Sequence, residues 1–244
     1  MSGRDLAVRP SGIREAGPDA PPTCTLRDLV AEGAGAVIEA DPAVARLKSS
    51  VDMVGAQELT DAEWQMLLLR CPSRRFTIVG DRAQARHGFT ESWRERLARI
   101  GLDRIEGASL TINYRTPEEV MAEAEPAVRA VLPDANVPTA VRSGGVPLLH
   151  GSVADLDSVL DVWLAAHTDG IACVIGDPTF RPTSRVRALD PELPKGLEFD
   201  LVVLVDPEAF GTGVEGAVDR HVAMTRATRQ LVVLTAFLTP AGVA

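Results

Sequence analysis

Several things this sequence lacks narrow its reading before anything it contains. Its three cysteines, Cys24, Cys71 and Cys173, are an odd number and show no Cys-x-x-Cys spacing. That argues against a disulfide frame and a zinc site, and for a reducing compartment. No run approaches the roughly 18 apolar residues of a membrane helix, so no membrane partner is expected. The first residues do not follow the basic, apolar, small-residue order of a secretory signal, and a cytoplasmic location is expected. An excess of positive charge is missing as well: the formal net charge is −9. Free-standing nucleic-acid binders draw affinity from neutralising phosphates, so strong autonomous DNA binding is disfavoured. A local basic groove or a protein partner stays compatible with that charge. No repeat at solenoid periods is present.

What is there suits an ordinary globular chain, with 244 residues, 45% of them hydrophobic and 24% charged. Residues 1–50 differ from the rest. They are rich in Ala, Gly, Pro, Asp and Arg and include Gly17-Pro18-Asp19-Ala20-Pro21-Pro22. Only Leu26 to Arg46 offers a short amphipathic helix or two, and an irregular leader is expected. From Leu59 the pattern is regular. Thr60 and Glu63 form a capping-box pattern, with Trp64, Leu67 and Leu68 on one helical face. Phe76–Val79 reads as a strand, Thr90 caps a helix running to Ile100, and Ala108–Ile112 is strand-like. Thr116-Pro117-Glu118-Glu119 opens another helix, with Pro where its missing N–H costs nothing. Leu148–His150 is extended and Asp155–Ala166 amphipathic. Ile171–Ile175 and Leu201–Val205 are apolar runs of the kind buried on both faces of a parallel sheet. Val218–Ala227 predicts a helix and Leu231–Thr235 a closing strand. The alternation argues for a doubly wound α/β fold, and the polar segments beside the strands are expected at the strands' carboxyl ends, where such sheets bind ligands.

Four of those segments carry residues that a pure scaffold does not demand. They are Gly80-Asp81-Arg82-Ala83-Gln84, Asn113-Tyr114-Arg115-Thr116-Pro117, Lys195-Gly196-Leu197-Glu198-Phe199-Asp200 and Val222-Ala223-Met224-Thr225-Arg226-Ala227. Singly each is weak, since Gly-Asp is a common turn and an arginine at a helix start usually faces solvent. In their order and spacing they resemble motifs III to VI of UvrD/Rep-type superfamily 1 helicases, over roughly Ala56 to Leu234. Gln57-Glu58-Leu59-Thr60-Asp61-Ala62-Glu63-Trp64 and Gly80-Asp81-Arg82-Ala83-Gln84-Ala85-Arg86 are similar to the HelD/HelR-like branch, ATPases that act on RNA polymerase. The short gap before Lys195 leaves no room for the inserted 2B domain of UvrD.

The resemblance implies a RecA-like, P-loop NTPase-type α/β fold. A truncated remnant of the first motor domain would span 51–105, and a complete second domain 106–240. It implies ATP and Mg²⁺ as the intact family's cofactors, and cations that meet the charge developing on the γ-phosphate. Arg115 and Arg226 would contact that phosphate, Arg226 as the finger-like one, because a planar guanidinium bridges two oxygens. Gln84 would sense the γ-phosphate, Tyr114 would stack on adenine, and Glu198 would accept from the ribose. Gln57 and Gly196 complete the nucleotide-binding set. His87 and Phe89 stand where planar groups stack on single-stranded bases. The partners implied are single-stranded DNA or RNA polymerase.

The departures weigh as much. Gly-x-x-x-x-Gly-Lys-Ser/Thr occurs nowhere in the chain. Motif II should read Asp-Glu-Ala-Gln, and here Val54-Gly55-Ala56-Gln57 stands in its place. Without cradle, metal ligand and base, essentially no hydrolysis is expected from this chain alone, and a complementary motor domain would be needed. No metal ligand is assigned. The abrupt onset at Ala56 suggests a leader from another reading frame or a mispredicted start. The rival readings are a non-enzymatic module that docks on RNA polymerase or DNA, and a degraded gene product.

Overall fold

The computed structural model describes residues 51–87 and 91–236. The leader 1–50, Phe89 and Thr90 lie outside the described residues. The chain divides into two compact units: residues 51–54 with 62–79, and 55–61 with everything described from Gly80 onward.

In the smaller unit, β1 (Val51–Val54) and β2 (Phe76–Val79) pair in parallel, Val51 opposite Phe76. The crossover is α1 (Asp61–Arg70), which buries Trp64, Leu67 and Leu68, spaced three and four apart as one helical face requires. Met53 and Trp64 have no exposed surface, whereas Met66 and Leu69 on the same helix are exposed.

The larger unit opens its helices with α2 (Trp93–Arg99). Ser92 caps it, in place of the expected Thr90, because Ser92 and Glu95 exchange reciprocal bonds. Ser92 Oγ accepts from Glu95 N–H at 3.2 Å, and the Glu95 carboxylate accepts from Ser92 N–H at 2.8 Å. The stretch expected at Ala108–Ile112 gives only β3 (Ile112–Asn113), parallel to β4 (Thr139–Ala140), with α3 (Glu118–Arg129) between them. Then follow β5 (Leu149–Ser152), α4 (Leu156–Ala166), β6 (Ala172–Ile175), β7 (Val186–Leu189), β8 (Phe199–Val205), α5 (Gly213–Met224) and β9 (Ala227–Thr235).

Strands β5 to β9 form one all-parallel sheet in the order β5-β9-β8-β6-β7. Successive residues of β6, β8 and β9 feed two cores. Cys173, Ile175, Val202, Leu204 and Leu231 meet Val120, Ala124 and Met224 of α3 and α5. Val174, Leu201, Val203 and Val232 meet Leu156, Leu160 and Trp163 of α4. Burial on both faces is why the sequence of β8 has no polar alternation. Each such Val or Leu contributes about 1.5–3 kcal/mol of transfer free energy.

Two element boundaries differ from expectation in a way that matters below. Helix α5 starts at Gly213, five residues before Val218, and stops at Met224, so Arg226 stands just past its C-terminus. Strand β9 begins immediately after it at Ala227, four residues before Leu231. Strand β7 was not expected at all, because Arg187 interrupts its short apolar pattern.

Candidate functional site

The backbone brings Glu198 and Arg226 together. They precede β8 and β9, which are neighbours in the sheet with Phe199 opposite Ala227, and Phe199 N–H donates to the Arg226 carbonyl at 3.0 Å. These two residues therefore lie at the amino ends of the sheet's strands. That corrects the expectation of a carboxyl-end site for them, and the reason is that the chain delivers Arg226 on the way into β9. Asp81–Gln84 and Tyr114–Arg115 do follow strands, β2 and β3, but neither strand belongs to the five-stranded sheet.

Arg226 is only 2% exposed. Its Nε donates to the Val222 carbonyl at 3.1 Å and its terminal nitrogen to Thr225 Oγ1 at 3.3 Å. The Val222 carbonyl belongs to the last turn of α5, whose dipole favours a cation. Burial, and next the neighbouring Arg115, pull its pKa down to about 10, while Glu198 and Asp81 act in the opposite direction. Arg115 is more exposed and pairs with Glu198, Nη1 to Oε1, at 3.2 Å. Its loop is shaped by Asn113, whose Oδ1 accepts from the N–H groups of Arg115 (3.0 Å) and Thr116 (3.1 Å).

Asp81 organises the next shell of the site. Its Oδ1 accepts from Ala83 N–H at 2.9 Å, its Oδ2 accepts from the Gln84 side-chain amide at 2.7 Å, and its N–H donates to buried Gln57 Oε1 at 3.3 Å. Ala83 is buried with Val128, Leu132 and Ala135, which seats this turn on the α3 region. At Gly80 a Cβ would come within 2.3 Å of the Trp93 ring, so any side chain there would force that ring to shift.

A second group of residues, some of them inside the motif segments, had been given no role of their own from the sequence. Lys195 Nζ donates to Glu58 Oε1 at 2.5 Å and to the Gln84 carbonyl at 2.9 Å. Arg86 donates from Nε to both oxygens of buried Asp219 at 3.1 Å and pairs with Glu192 at 2.9 Å. With Gln84 and His87 they line a cavity of about 300 Å³. Only the position of Glu58, directly after Gln57, hinted at such a role. His87 is exposed and sits 3.7 Å from Glu215.

The structure thus brings Arg115, Glu198 and Arg226 together, while Asp81, bonded to Gln57 and Gln84, is near enough to act on the charge of Arg226. Tyr114 is 72% exposed beside them. Gly196 adopts a left-handed φ of 80°, with open space where a side chain would be. Phe89 lies outside the described residues. Two converging guanidiniums suit the charge of a phosphate chain. They do not suit a metal: among the described residues no group of three His, Cys, Asp or Glu side chains converges.

No protein-family model and no curated protein matches the chain. The solved structures it is similar to include three of helicases. One is a PRRSV helicase, at 15% identity over 78% of this chain and 36% of that one, with a TM-score of 0.48. Another is arterivirus nonstructural protein 10, a helicase, at 15% identity over 78% and 40% respectively, with a TM-score of 0.45. The third is the C-terminal domain of a possible DNA helicase from Lactobacillus plantarum, at 16% identity over 52% and 91%, with a TM-score of 0.38. The chain spans little more than a third of the PRRSV protein's length.

Proposed function

We propose that this chain carries the C-terminal motor portion of a superfamily 1 ATP-dependent helicase of the UvrD/Rep type. In this reading residues 106–240 form a RecA-like second motor domain that supplies half of an ATP site, and residues 51–105 are a remnant of the first. The carrying observation is Arg226, a buried guanidinium with its pKa lowered by burial and by Arg115, and with no carboxylate in ion-pair contact among the described residues. Such a residue is a liability to the fold unless an anion is to arrive beside it. Arg226 and Arg115 then face the γ-phosphate, with Gln84 as its sensor. Glu198 accepts from the ribose, Tyr114 covers the adenine, and Gln57 and Gly196 complete the set.

ATP hydrolysis in the intact family also uses Mg²⁺, and the donor set here does not fit a metal. This chain is therefore assigned no hydrolytic step of its own. A complementary motor domain with a phosphate loop and an Asp-Glu pair would provide the rest, leaving the present residues to bind, orient and neutralise. A half-site of two cations and one aromatic is expected to hold ATP with a Kd of about 1 mM, near −4 kcal/mol.

Two experiments bear on this. ATP binding to the chain is followed by NMR, and Arg115→Ala and Arg226→Lys should each weaken it. A superfamily 1 first motor domain is then supplied in trans, and Arg226→Ala should abolish the nucleotide-dependent closure and ATPase it restores. An ATPase unchanged by Arg226→Ala in that assay removes Arg226 from the site.

The HelD/HelR-like branch, with RNA polymerase as partner, is favoured over single-stranded DNA by one observation. Lys195 and Arg86 are already matched by Glu58, Asp219 and Glu192, and His87 lies beside Glu215. A groove whose cations are neutralised internally gains little from releasing a nucleic acid's counterions. The same observation suits a non-enzymatic module on polymerase. Pull-down of polymerase without ATP would support that module, and absence of binding at moderate salt would count against it.

A further inference from the structure

Arg142 follows β4 as Arg115 follows β3, and the two strands are parallel, with Val141 N–H extending the ladder to the Asn113 carbonyl at 3.1 Å. The register therefore delivers the Arg142 side chain beside the Tyr114–Arg115 loop. Its Nε donates to the Tyr114 carbonyl at 3.2 Å. Its Nη2 donates to the Arg115 carbonyl and, at 2.5 Å, to the carbonyl of Thr228 in β9, two residues past Arg226. One planar group thus ties the loop bearing Tyr114 and Arg115 to the strand that Arg226 leads into. The surrounding backbone reinforces the tie. The Arg142 carbonyl accepts from Glu118 N–H at 2.9 Å. Ser143 Oγ donates at 2.6 Å, and Gly144 N–H at 2.9 Å, to the Glu119 carboxylate in the first turn of α3. Asn113 Oδ1 and Glu198 hold the Arg115 end of the loop, but Tyr114 is exposed and β3 is only two residues long, so Arg142 is what joins the loop's main chain to β9.

We propose that Arg142 is a positioning residue for the nucleotide half-site. By bridging the carbonyls of Tyr114, Arg115 and Thr228 it holds the aromatic ring and the Arg115 guanidinium at a fixed attitude to Arg226. The proposal rests on the nucleotide reading above. It depends on the guanidinium's shape and not on its charge, because a fork with several donors spans carbonyls from two segments and a single ammonium on a flexible stem does not.

Tyr114 is the chain's one tyrosine, so 3-fluorotyrosine labelling places a single ¹⁹F probe on the loop. ATP is titrated against the labelled full chain, Arg142→Ala and Arg142→Lys, with Tm recorded for each. In the wild-type chain ATP moves one resonance. In both variants the apparent Kd rises about tenfold, as it must if the loop holds its binding geometry only about a tenth of the time, while Tm stays near the wild-type value. An ATP response equal in wild type and Arg142→Ala overturns the positioning role. Restoration by Arg142→Lys overturns it too, because charge would then suffice. Absence of any ATP response in the wild-type chain overturns the nucleotide reading itself.

Discussion

At Arg226, stability and the proposed role pull in opposite directions. Its guanidinium is buried against a helix carbonyl and a threonine hydroxyl with a second guanidinium nearby. Replacing a desolvated charge with an apolar side chain of similar length is often neutral or stabilising. Arg226→Met is therefore expected to leave Tm unchanged or raise it by about 3 °C, the equivalent of ~1 kcal/mol in a domain of this size, while the ATP response disappears. A sharply lower Tm in Arg226→Met would mark the residue as a structural member of the core. His221, one turn earlier on α5, gives a pH dependence. Its Nδ1 is 3.0 Å from the Ala124 carbonyl, and burial depresses its pKa below the ordinary 6.5. Asp81 and Glu125 work against that depression and Arg226 works with it. Because the folded pKa is the lower one, the unfolded chain takes up the proton first as pH falls. The stabilisation is complete above about pH 6.5 and is lost progressively below it. Tm is expected to fall from pH 7 to pH 5, and His221→Asn should flatten that slope. Parallel slopes in the two proteins would assign the loss to other groups.

Between elements, Arg86 joins the Arg82–Gln84 turn to α5 through Asp219. Burial raises the Asp219 pKa, and the bonds from Arg86 hold it down. Removing one partner leaves the other stranded, so Arg86→Ala is expected to destabilise by about 1–3 kcal/mol, the range for an unsatisfied buried group. Adding Asp219→Asn in the Arg86→Ala background should recover part of the loss, whereas additive losses in denaturant melts would mean the two residues do not act as a pair. Contacts of this sort mark the limit of what the sequence discloses. Strands β6 and β8 were legible because burial on both faces demands unbroken apolar runs, and the buried face of α1 was legible from the spacing of Trp64, Leu67 and Leu68. The proximity of Glu198 and Arg226 comes from the pairing of β8 with β9, and Arg115 joins them through its ion pair with Glu198, neither of which residue identity discloses. Beyond the position of Glu58 next to Gln57, nothing in the sequence indicated that Lys195 would be neutralised by it. Nor was there any hint that Arg142 would bond three carbonyls, since main-chain acceptors leave no trace in residue identity. The early start of α5 and of β9 escaped for a related reason. Tertiary burial of Gly216, Ala217 and Ala227 overrode their weak local pattern.

For the molecule as a whole, the two units differ in how much holds each strand. Residues Leu201–Leu204 of β8 are flanked by both β6 and β9, with cores above and below. In the smaller unit β2 has one partner among the described residues, β1, and its own burial alternates between half-buried and exposed. Two-stranded pairs are marginal in isolation, and local opening follows the density of buried contacts. Native-state hydrogen exchange should therefore find the amides of Val202–Leu204 among the slowest, opening only with global unfolding. Those of Thr77–Val79 should open with a free energy several kcal/mol lower, well inside the ~5–15 kcal/mol typical of whole domains. The separation also has a functional consequence under the proposed reading. The half-site residues Arg115, Glu198 and Arg226 all stand on the slow-exchanging unit, so a chain with 62–79 locally opened would still present them. Loss of the ¹⁹F response to ATP at mild denaturant concentrations where only the 77–79 amides have opened would show that the half-site depends on the smaller unit, against this expectation.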